Sequence, residues 1–240
     1  MSENTVTPYQ GSTDGKKQQV TQMFNTISET YDGLNRVISW GSDVKWRKFV
    51  VQKVAEINPS TVLDVATGTG DLAIALTAIP ETKITGLDIS EGMLAVGRDK
   101  IAKKQLSNRI DLVQGDSEQL PFANATFDAV TVGFGVRNFE DLEKGLSEIF
   151  RVLKPNGRLV VLETSIPEKF PFKQGYYCYT NNVMPLIGKL FSKDRSAYRY
   201  LSNSAIHFPY GKKFQQILDK VGYQQTKYYP KTLGGVATIY

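Results

Sequence analysis

The sequence predicts an α/β fold with a mostly parallel sheet, helices on both faces and an antiparallel last strand. Three observations favour this fold. Short β-rich runs alternate with helical patterns from Thr61 to Glu163, a glycine-rich turn follows the first run, and two further short runs end the chain. Strands that alternate with helices are typical of parallel sheets with right-handed crossovers.

The composition indicates a globular protein and excludes several kinds of site. Of the 240 residues, 41% are hydrophobic and 22% are charged, and the net charge is +5. The single cysteine, Cys178, and the single histidine, His207, exclude an internal disulfide and clusters of zinc-binding cysteines or histidines. We therefore expect no metal site.

The chain has no apolar run near the roughly 20 residues that a bilayer-spanning helix needs. Residues 1–15 lack helical periodicity and the apolar segment of a secretory signal, and we expect them to form a mobile arm. The expected location is the cytoplasm. The mild positive charge leaves peripheral contact with the inner face of an anionic membrane open.

Residues 16–240 are expected to form a single domain that begins with a helical cap over 16–58. Apolar residues recur in this cap at helical spacing. The two stripes are Val20, Phe24 and Ile27, and Val50, Val54 and Ile57.

Residues 59–163 are expected to form the ligand-binding core, because parallel sheets bind ligands at the carboxyl ends of their strands. The predicted strands are 61–65, 83–87, 110–114, 127–132 and 158–163. The predicted helices cover about 71–79, a segment capped by Ser90, and 141–153, where Pro155-Asn156-Gly157 is expected to end the helix.

Residues 164–210 break the alternation. They are rich in aromatic residues and contain four of the ten prolines, which indicates a substrate-capping insertion rather than another strand and helix. In residues 211–240 an apolar stripe predicts a last helix that ends at Gly222. Two strands, 223–229 and 236–240, are then expected to form an antiparallel hairpin.

The glycine-rich turn runs from Asp64 to Ala73 and follows the first strand. Gly68 and Gly70 permit positive φ and the close approach of a ligand to the backbone. This spacing alone fits a dinucleotide site or a purely structural turn. Asp64 would repel a pyrophosphate on the turn, and it suits a ligand that carries an ammonium or sulfonium charge.

Acidic residues follow two further strands. Asp88 ends the second strand, where its carboxylate can accept both hydroxyls of a ribose through bonds worth roughly 1.5–3 kcal/mol each. Asp116, followed by Ser117, comes after the third strand and can accept the exocyclic amine of adenine. Carboxylates at three strand ends favour S-adenosylmethionine as the ligand.

A second glycine-rich segment, Gly133–Asn138, follows the fourth strand. Gly133 would let the backbone lie beside the methionine part of this ligand. Arg137 and Asn138 would face the reacting centre.

Six stretches together carry a family resemblance. They are Met23–Gly41, Val62–Leu72, Leu120–Phe122, Gly133–Asn138, Arg151–Glu163 and Tyr198–Ser204. The chain resembles class I S-adenosylmethionine-dependent methyltransferases and, more narrowly, the ubiquinone/menaquinone biosynthesis C-methyltransferases of the UbiE/MenG type. The resemblance implies a Rossmann-like sheet of seven strands. It also implies cofactor contacts at Thr69, Asp88, Asp116, Ser117 and Gly133.

The family reaction implies methylation of a ring carbon of a prenylated quinol. Demethylmenaquinol is favoured over a 2-polyprenyl-6-methoxy-1,4-benzoquinol, and another small-molecule acceptor stays open. We expect Arg137 to stabilise the ionised ring oxygen, Asn138 to orient the ring and Tyr31 to close the pocket. No general base is evident, since a lone histidine such as His207 is more often structural.

Three other functions are weighed. A nicotinamide oxidoreductase would share Asp88 but would not explain Asp64, Asp116 or the segment with Arg137. A nucleic-acid methyltransferase would fit the positive charge, but the sequence has no long basic run, and we expect no nucleic-acid partner. A non-enzymatic lipid carrier gives no reason for the three acids. The oligomeric state is not predicted.

Overall fold

The computed structural model describes residues 6–178 and 195–240 and places a mixed sheet at the centre of the molecule. Its strands are β1 (Thr61–Val65), β2 (Lys83–Asp88), β3 (Ile110–Gln114), β4 (Phe127–Gly133), β5 (Leu153–Thr164), β6 (Tyr229–Lys231) and β7 (Ala237–Ile239). The seven strands of the described residues lie in the order β3-β2-β1-β4-β5-β7-β6.

Strands β1 to β5 are parallel to one another, and β7 is antiparallel to both β5 and β6. This arrangement confirms the predicted α/β fold with an antiparallel last strand. The strand order reverses between β1 and β4, which is where open parallel sheets form a ligand crevice.

Helices lie on both faces of the sheet and across one of its ends. They are α1 (Lys16–Ile38), α2 (Ser42–Ala55), α3 (Asp71–Leu76), α4 (Glu91–Lys103), α5 (Leu142–Val152), α6 (Phe172–Cys178), α7 (Arg195–His207), α8 (Lys212–Val221) and α9 (Thr232–Gly235), with a 3₁₀ turn at Val136–Asn138. Ser90 caps α4 as predicted, since its hydroxyl accepts a hydrogen bond from the Met93 N–H at 3.2 Å.

Two apolar layers sandwich the sheet. One contains Trp46, Val50 and Leu94, from α2 and α4, and the other contains Leu146 and Phe214, from α5 and α8. A third cluster joins α1 to α4 and α7 through Met23, Met93 and Tyr200. Helix α1 therefore packs across one end of the sheet rather than on either face.

Part of the N-terminal arm packs against this third cluster. Tyr9 is partly buried there, and its backbone N–H donates to Gln19 Oε1 at 2.9 Å. Residues 1–5 lie outside the described residues, as do residues 179–194 of the proposed insertion. Helix α1 begins at Lys16, directly after Gly15.

Three element predictions are wrong in detail. The Pro155-Asn156-Gly157 segment lies inside β5, whose pairing with β4 shifts register beside Phe127, and α5 ends earlier, at Val152. Helix α3 ends at Leu76 rather than at residue 79.

The predicted strand 223–229 is replaced by the short β6, because Gln225 has positive φ and Thr226 is bonded to α8. A single helical turn, α9, joins β6 to β7.

Candidate active site

A cavity opens at the carboxyl ends of the central strands, beneath α1. Seven of the predicted site residues line it: Tyr31, Gly68, Asp88, Asp116, Ser117, Gly133 and Asn138. The fold therefore gathers residues from α1 and from four strand ends around one space.

The glycine-rich turn is shaped by positive φ angles. Gly68 and Gly70 have φ of 57° and 78°, as predicted, and Ala66 has a φ of 53°. The backbone N–H of Gly68 donates to Asp88 Oδ2 at 2.8 Å, so the turn is joined directly to the end of β2. This bond fixes the position of the Asp88 carboxylate on the cavity wall.

Asp88 receives a second backbone bond, from the Ser90 N–H to its Oδ1 at 2.8 Å. Burial raises the pKa of Asp88 above its ordinary value, and the bonds from Ser90 and Gly68 oppose that rise. Each carboxylate oxygen can accept a further hydrogen bond. Asp88 therefore presents two oriented acceptors to the cavity.

Asp116 forms an ion pair with Lys17 of α1. Lys17 Nζ is 2.8 Å from Asp116 Oδ2 and 3.2 Å from Glu118 Oε2. Lys17 and Glu118 were not predicted as site residues, because they are far from each other in the chain and no local pattern pairs them.

Four predicted residues are not among the described residues that line the cavity: Asp64, Thr69, Gly70 and Arg137. Asp64 is a buried residue of β1, beside Thr131 of β4. The hydroxyls of Thr67 and Thr131 each donate to its carboxylate at 2.6 Å. Burial raises the pKa of Asp64 to about 6. In this geometry its direct partners are two hydroxyls that brace the turn and β4.

The Asp64→Asn variant should flatten the pH dependence of stability. Because the pKa of Asp64 rises from 3.8 unfolded to about 6 folded, the folded state binds more protons between these values. Stability from this group is therefore lost as the pH rises through that window, by about 3 kcal/mol in total. Urea unfolding at a series of pH values should show the variant without this loss. Matching pH profiles for wild type and variant would contradict the expectation.

Thr69 faces a cluster of charged residues outside the cavity. Its hydroxyl donates to Asp32 Oδ1 at 2.6 Å and accepts from Lys100 Nζ at 3.2 Å. Lys100 is also paired with Asp32 and Asp71. The cluster ties α1 to α4 and to the glycine-rich turn. Of the adjacent residues Tyr31 and Asp32, Tyr31 therefore lines the cavity and Asp32 bonds to the glycine-rich turn.

Arg137 is buried and paired with Glu163, which was not predicted as a site residue. Its side chain is 7% exposed, and its Nη1 donates to Glu163 Oε1 at 2.6 Å and to the Phe134 carbonyl at 2.7 Å. Glu163 is fully buried at the end of β5. Among the described residues, Arg137 Nε has no hydrogen-bond partner. The only available signal for Glu163 was its place at the next strand end.

Tyrosines surround the Arg137 guanidinium. Burial raises the pKa of Tyr31 and of Tyr200, and the nearby Arg137 cation partly opposes the rise. The Tyr200 hydroxyl donates to Asn138 Oδ1 at 3.1 Å. Tyr200 lies in the Tyr198–Ser204 stretch, so this specific motif is brought to the cavity wall through Asn138. Both tyrosines are neutral hydrogen-bond donors at neutral pH.

His207 is exposed at the end of α7, where its Nδ1 contacts the Asn203 carbonyl at 2.8 Å. Within residues 6–178 and 195–240, no three His, Cys, Asp or Glu side chains are grouped so that they could hold a metal ion. The helices of those same residues include none that is long and apolar enough to cross a membrane.

A family model described as the ubiE/COQ5 methyltransferase family matches residues 12–240. The chain belongs to this family. It is 46% identical to the demethylmenaquinone methyltransferase of Bacteroides fragilis, over 98% of this chain and 96% of the relative. It is 44% identical to the ubiquinone/menaquinone biosynthesis C-methyltransferase UbiE of Geotalea daltonii, over 94% and 96% of the two chains.

The fold of this ubiE/COQ5 family member matches solved methyltransferases. A methyltransferase from Thermotoga maritima has a TM-score of 0.63 at 18% identity and covers 91% of this chain and 96% of its own. One from Aquifex aeolicus has a TM-score of 0.55 at 18% identity, over 79% and 86%. The class I methyltransferase fold is thereby confirmed, and the family makes the chain an enzyme that transfers methyl groups.

Proposed function

We propose that this enzyme methylates a ring carbon of demethylmenaquinol to give menaquinol. The observation that carries the proposal is 46% identity, over almost the whole chain, to a relative named demethylmenaquinone methyltransferase. S-adenosyl-L-methionine is the methyl donor. The cavity at the carboxyl ends of β1 to β4 supports this assignment, because its wall combines carboxylates with aromatic side chains.

The cavity wall fits a positively charged adenosine ligand. Asp88 offers two fixed acceptors for ribose hydroxyls, and Asp116 with Ser117 would hold the adenine. A Cβ at Gly133 would come within 3.2 Å of Leu72 Cδ2, so the bare backbone there leaves room beside the methionine part. When bound, S-adenosyl-L-methionine supplies an electrophilic methyl group on a sulfonium.

The chain must make the acceptor carbon nucleophilic. A free phenol ionises with a pKa near 10, so the protein has to favour the phenolate at neutral pH. The buried Arg137 cation provides a positive field, and its Nε, which has no partner among the described residues, would donate to the ring oxygen. Asn138, held by Tyr200, would orient the ring, and Tyr31 would close the cavity.

The prenyl tail of the acceptor requires an apolar enclosure. The proposed enclosure is formed by the cavity-facing side of the helical cap of residues 16–58, without the exposed corner at Trp40, and by the insertion of residues 164–210. Because the tail partitions into the bilayer, the proposed enzyme works in the cytoplasm in peripheral contact with the inner face of the membrane.

Methyl transfer to defined quinols tests the proposal. The pure protein is incubated in detergent with methyl-labelled S-adenosyl-L-methionine and reduced demethylmenaquinone, and the products are identified by mass spectrometry. The expected result is a labelled menaquinol with one additional ring methyl. Transfer only to a 2-polyprenyl-6-methoxy-1,4-benzoquinol would move the enzyme to the ubiquinone branch. Transfer to neither quinol, with the donor still bound, would contradict the quinol assignment.

A further inference from the structure

The connection between α1 and α2 is an exposed corner that combines apolar and basic side chains. Trp40 at its tip is 83% exposed, and Val37 and Val44 on either side are 44% and 48% exposed. Three exposed cations flank them. We call this set of six the apex: Arg36, Val37, Trp40, Val44, Lys45 and Lys48.

The apex is held in a defined shape. Trp40 has a φ of 51°, and the Gly41 that follows has a φ of 71°. A bulky residue in this region carries strain of about 1–3 kcal/mol, and such strain persists where the surroundings impose it. Here the Ser39 hydroxyl donates to Asp43 Oδ1 at 2.8 Å, and the Gly41 N–H donates to the Arg36 carbonyl at 3.1 Å. The corner thus holds an indole in solvent, where it gains little from packing.

The exposed charges of the corner have one sign. Asp43, the acid in the first turn of α2, is buried and paired with Arg47. The exposed charged side chains between residues 33 and 48 are therefore all basic. Basic residues near an anionic lipid surface are worth about 1 kcal/mol each, and tryptophan prefers the level of the lipid headgroups. The charge and the side-chain chemistry both complement an anionic bilayer.

We propose that the apex docks this enzyme on the surface of an anionic phospholipid bilayer, with Trp40 inserted among the headgroups. The inference rests on the proposed function, because a prenylated acceptor resides in the bilayer. Tyr31, which lines the cavity, lies on α1 roughly 10 Å along the helix axis before the helix ends at Ile38, next to the apex. Docking at the apex therefore brings the cavity close to the membrane that contains the acceptor.

The two tryptophans of the chain provide a direct measurement. Trp46 is buried, and its Nε1 donates to Thr232 Oγ1 at 2.9 Å, so its environment should not change on docking. The Trp46→Phe variant leaves Trp40 as the only indole, and Trp40→Phe leaves Trp46. Each full-length variant is titrated with vesicles of phosphatidylglycerol and phosphatidylcholine. We expect a blue shift and quenching by brominated lipids only where Trp40 is present.

Charge and apolar variants test the same surface by vesicle sedimentation. Lys45→Gln combined with Lys48→Gln should weaken binding about tenfold or more, since each cation accounts for roughly fivefold. Trp40→Ala should also weaken binding, by at least about fivefold, since removing even part of the indole's apolar surface from water is worth more than about 1 kcal/mol. The matched control replaces Lys212 and Lys213, two exposed lysines at the start of α8, with glutamine and should bind like wild type.

Two results would overturn docking at the apex. One is unchanged vesicle binding in the Trp40→Ala and Lys45→Gln/Lys48→Gln variants. The other is a Trp40 blue shift that grows with protein concentration in the absence of lipid, which would assign the apex to contact between copies of the chain. Both readouts are independent of catalysis. An active enzyme whose apex variants bind normally would refute only the docking, and a docked enzyme that methylates no quinol would refute only the proposed function.

A kinetic comparison links docking to turnover. Trp40→Ala should methylate a short-chain, water-soluble quinol at the wild-type rate, because Trp40 is outside the cavity. With a long-chain quinol in anionic vesicles, its rate should fall in parallel with vesicle binding. Equal loss on both acceptors would contradict a docking role.

Discussion

Replacement of Arg137 by methionine should abolish turnover and lower the free energy of unfolding by about 3–5 kcal/mol. The stability loss follows from Glu163, which is fully buried and would keep a negative charge without its cation. The loss of turnover follows from the proposed stabilisation of the acceptor phenolate. Methyl transfer to demethylmenaquinol and urea unfolding measure the two effects separately.

The double variant Arg137→Met with Glu163→Gln separates these roles. It removes both charges, so most of the lost stability should return, while turnover stays absent. Affinity for S-adenosyl-L-methionine, measured by calorimetry, should stay within about threefold of wild type, a change of less than roughly 1 kcal/mol. Recovery of turnover in the double variant would show that the pair is only structural. Equal loss of donor affinity and turnover would reassign Arg137 to the donor site.

An exposed ion pair is the matched control for the Arg137 and Glu163 variants. Lys220 and Glu143 are paired at 2.7 Å, with both side chains more than half exposed. Removal of this pair should change stability by less than about 1 kcal/mol, because solvent screens it. Turnover should be unchanged.

Replacement of Asp88 by asparagine should weaken binding of S-adenosyl-L-methionine at least about a hundredfold. Two charge-assisted hydrogen bonds to the ribose are at stake, each worth roughly 1.5–3 kcal/mol. In the wild type, the Asp88 carboxylate accepts hydrogen bonds from the backbone N–H groups of Gly68 and Ser90. The amide of the variant would turn its N–H₂ group toward one of these two donors and lose that bond. Calorimetric titration of the pure protein measures the loss.

Asp128 provides the control for Asp88. Its carboxylate also accepts backbone N–H groups, from Ser60 at 3.0 Å and Thr61 at 2.9 Å, but it is at the opposite end of the sheet. The Asp128→Asn variant should lose stability and keep donor affinity within about twofold. A similar loss of donor affinity in both variants would mean that the Asp88 effect comes from the fold and not from the ribose.

The sequence was sufficient to predict the strand ends that meet at the cavity. Asp88, Asp116 and Gly133 each follow a recognisable buried run, and parallel strands bring their carboxyl ends to one edge. Pairs made across elements could not be predicted in this way. Lys17 and Asp116 come together because α1 crosses the strand ends, and nothing near either residue in the sequence encodes that crossing.

Arg137 shows a second limit of local patterns. The Gly133–Asn138 segment pointed to the reacting centre, but the partner that balances the Arg137 charge comes from another strand. The predicted antiparallel pairing of the last two strands is confirmed, but the predicted bounds of the first, 223–229, are wrong for a similar reason. A three-residue strand such as β6 carries too few residues for an alternating pattern, and Tyr223, where the strand was predicted to begin, instead packs on Phe150 and α5.

The position of β7 has a consequence for how the chain folds. This strand follows the other six strands of the described residues in sequence, yet it lies inside the sheet, between β5 and β6. Tyr240 and Val161 exchange two backbone hydrogen bonds, at 2.8 and 3.0 Å, so the edge of β5 stays unpaired until residues 237–240 join the sheet. An unpaired edge strand is a template for association with other chains. Docking of β7 therefore closes an edge at which a partly folded molecule could pair with another copy.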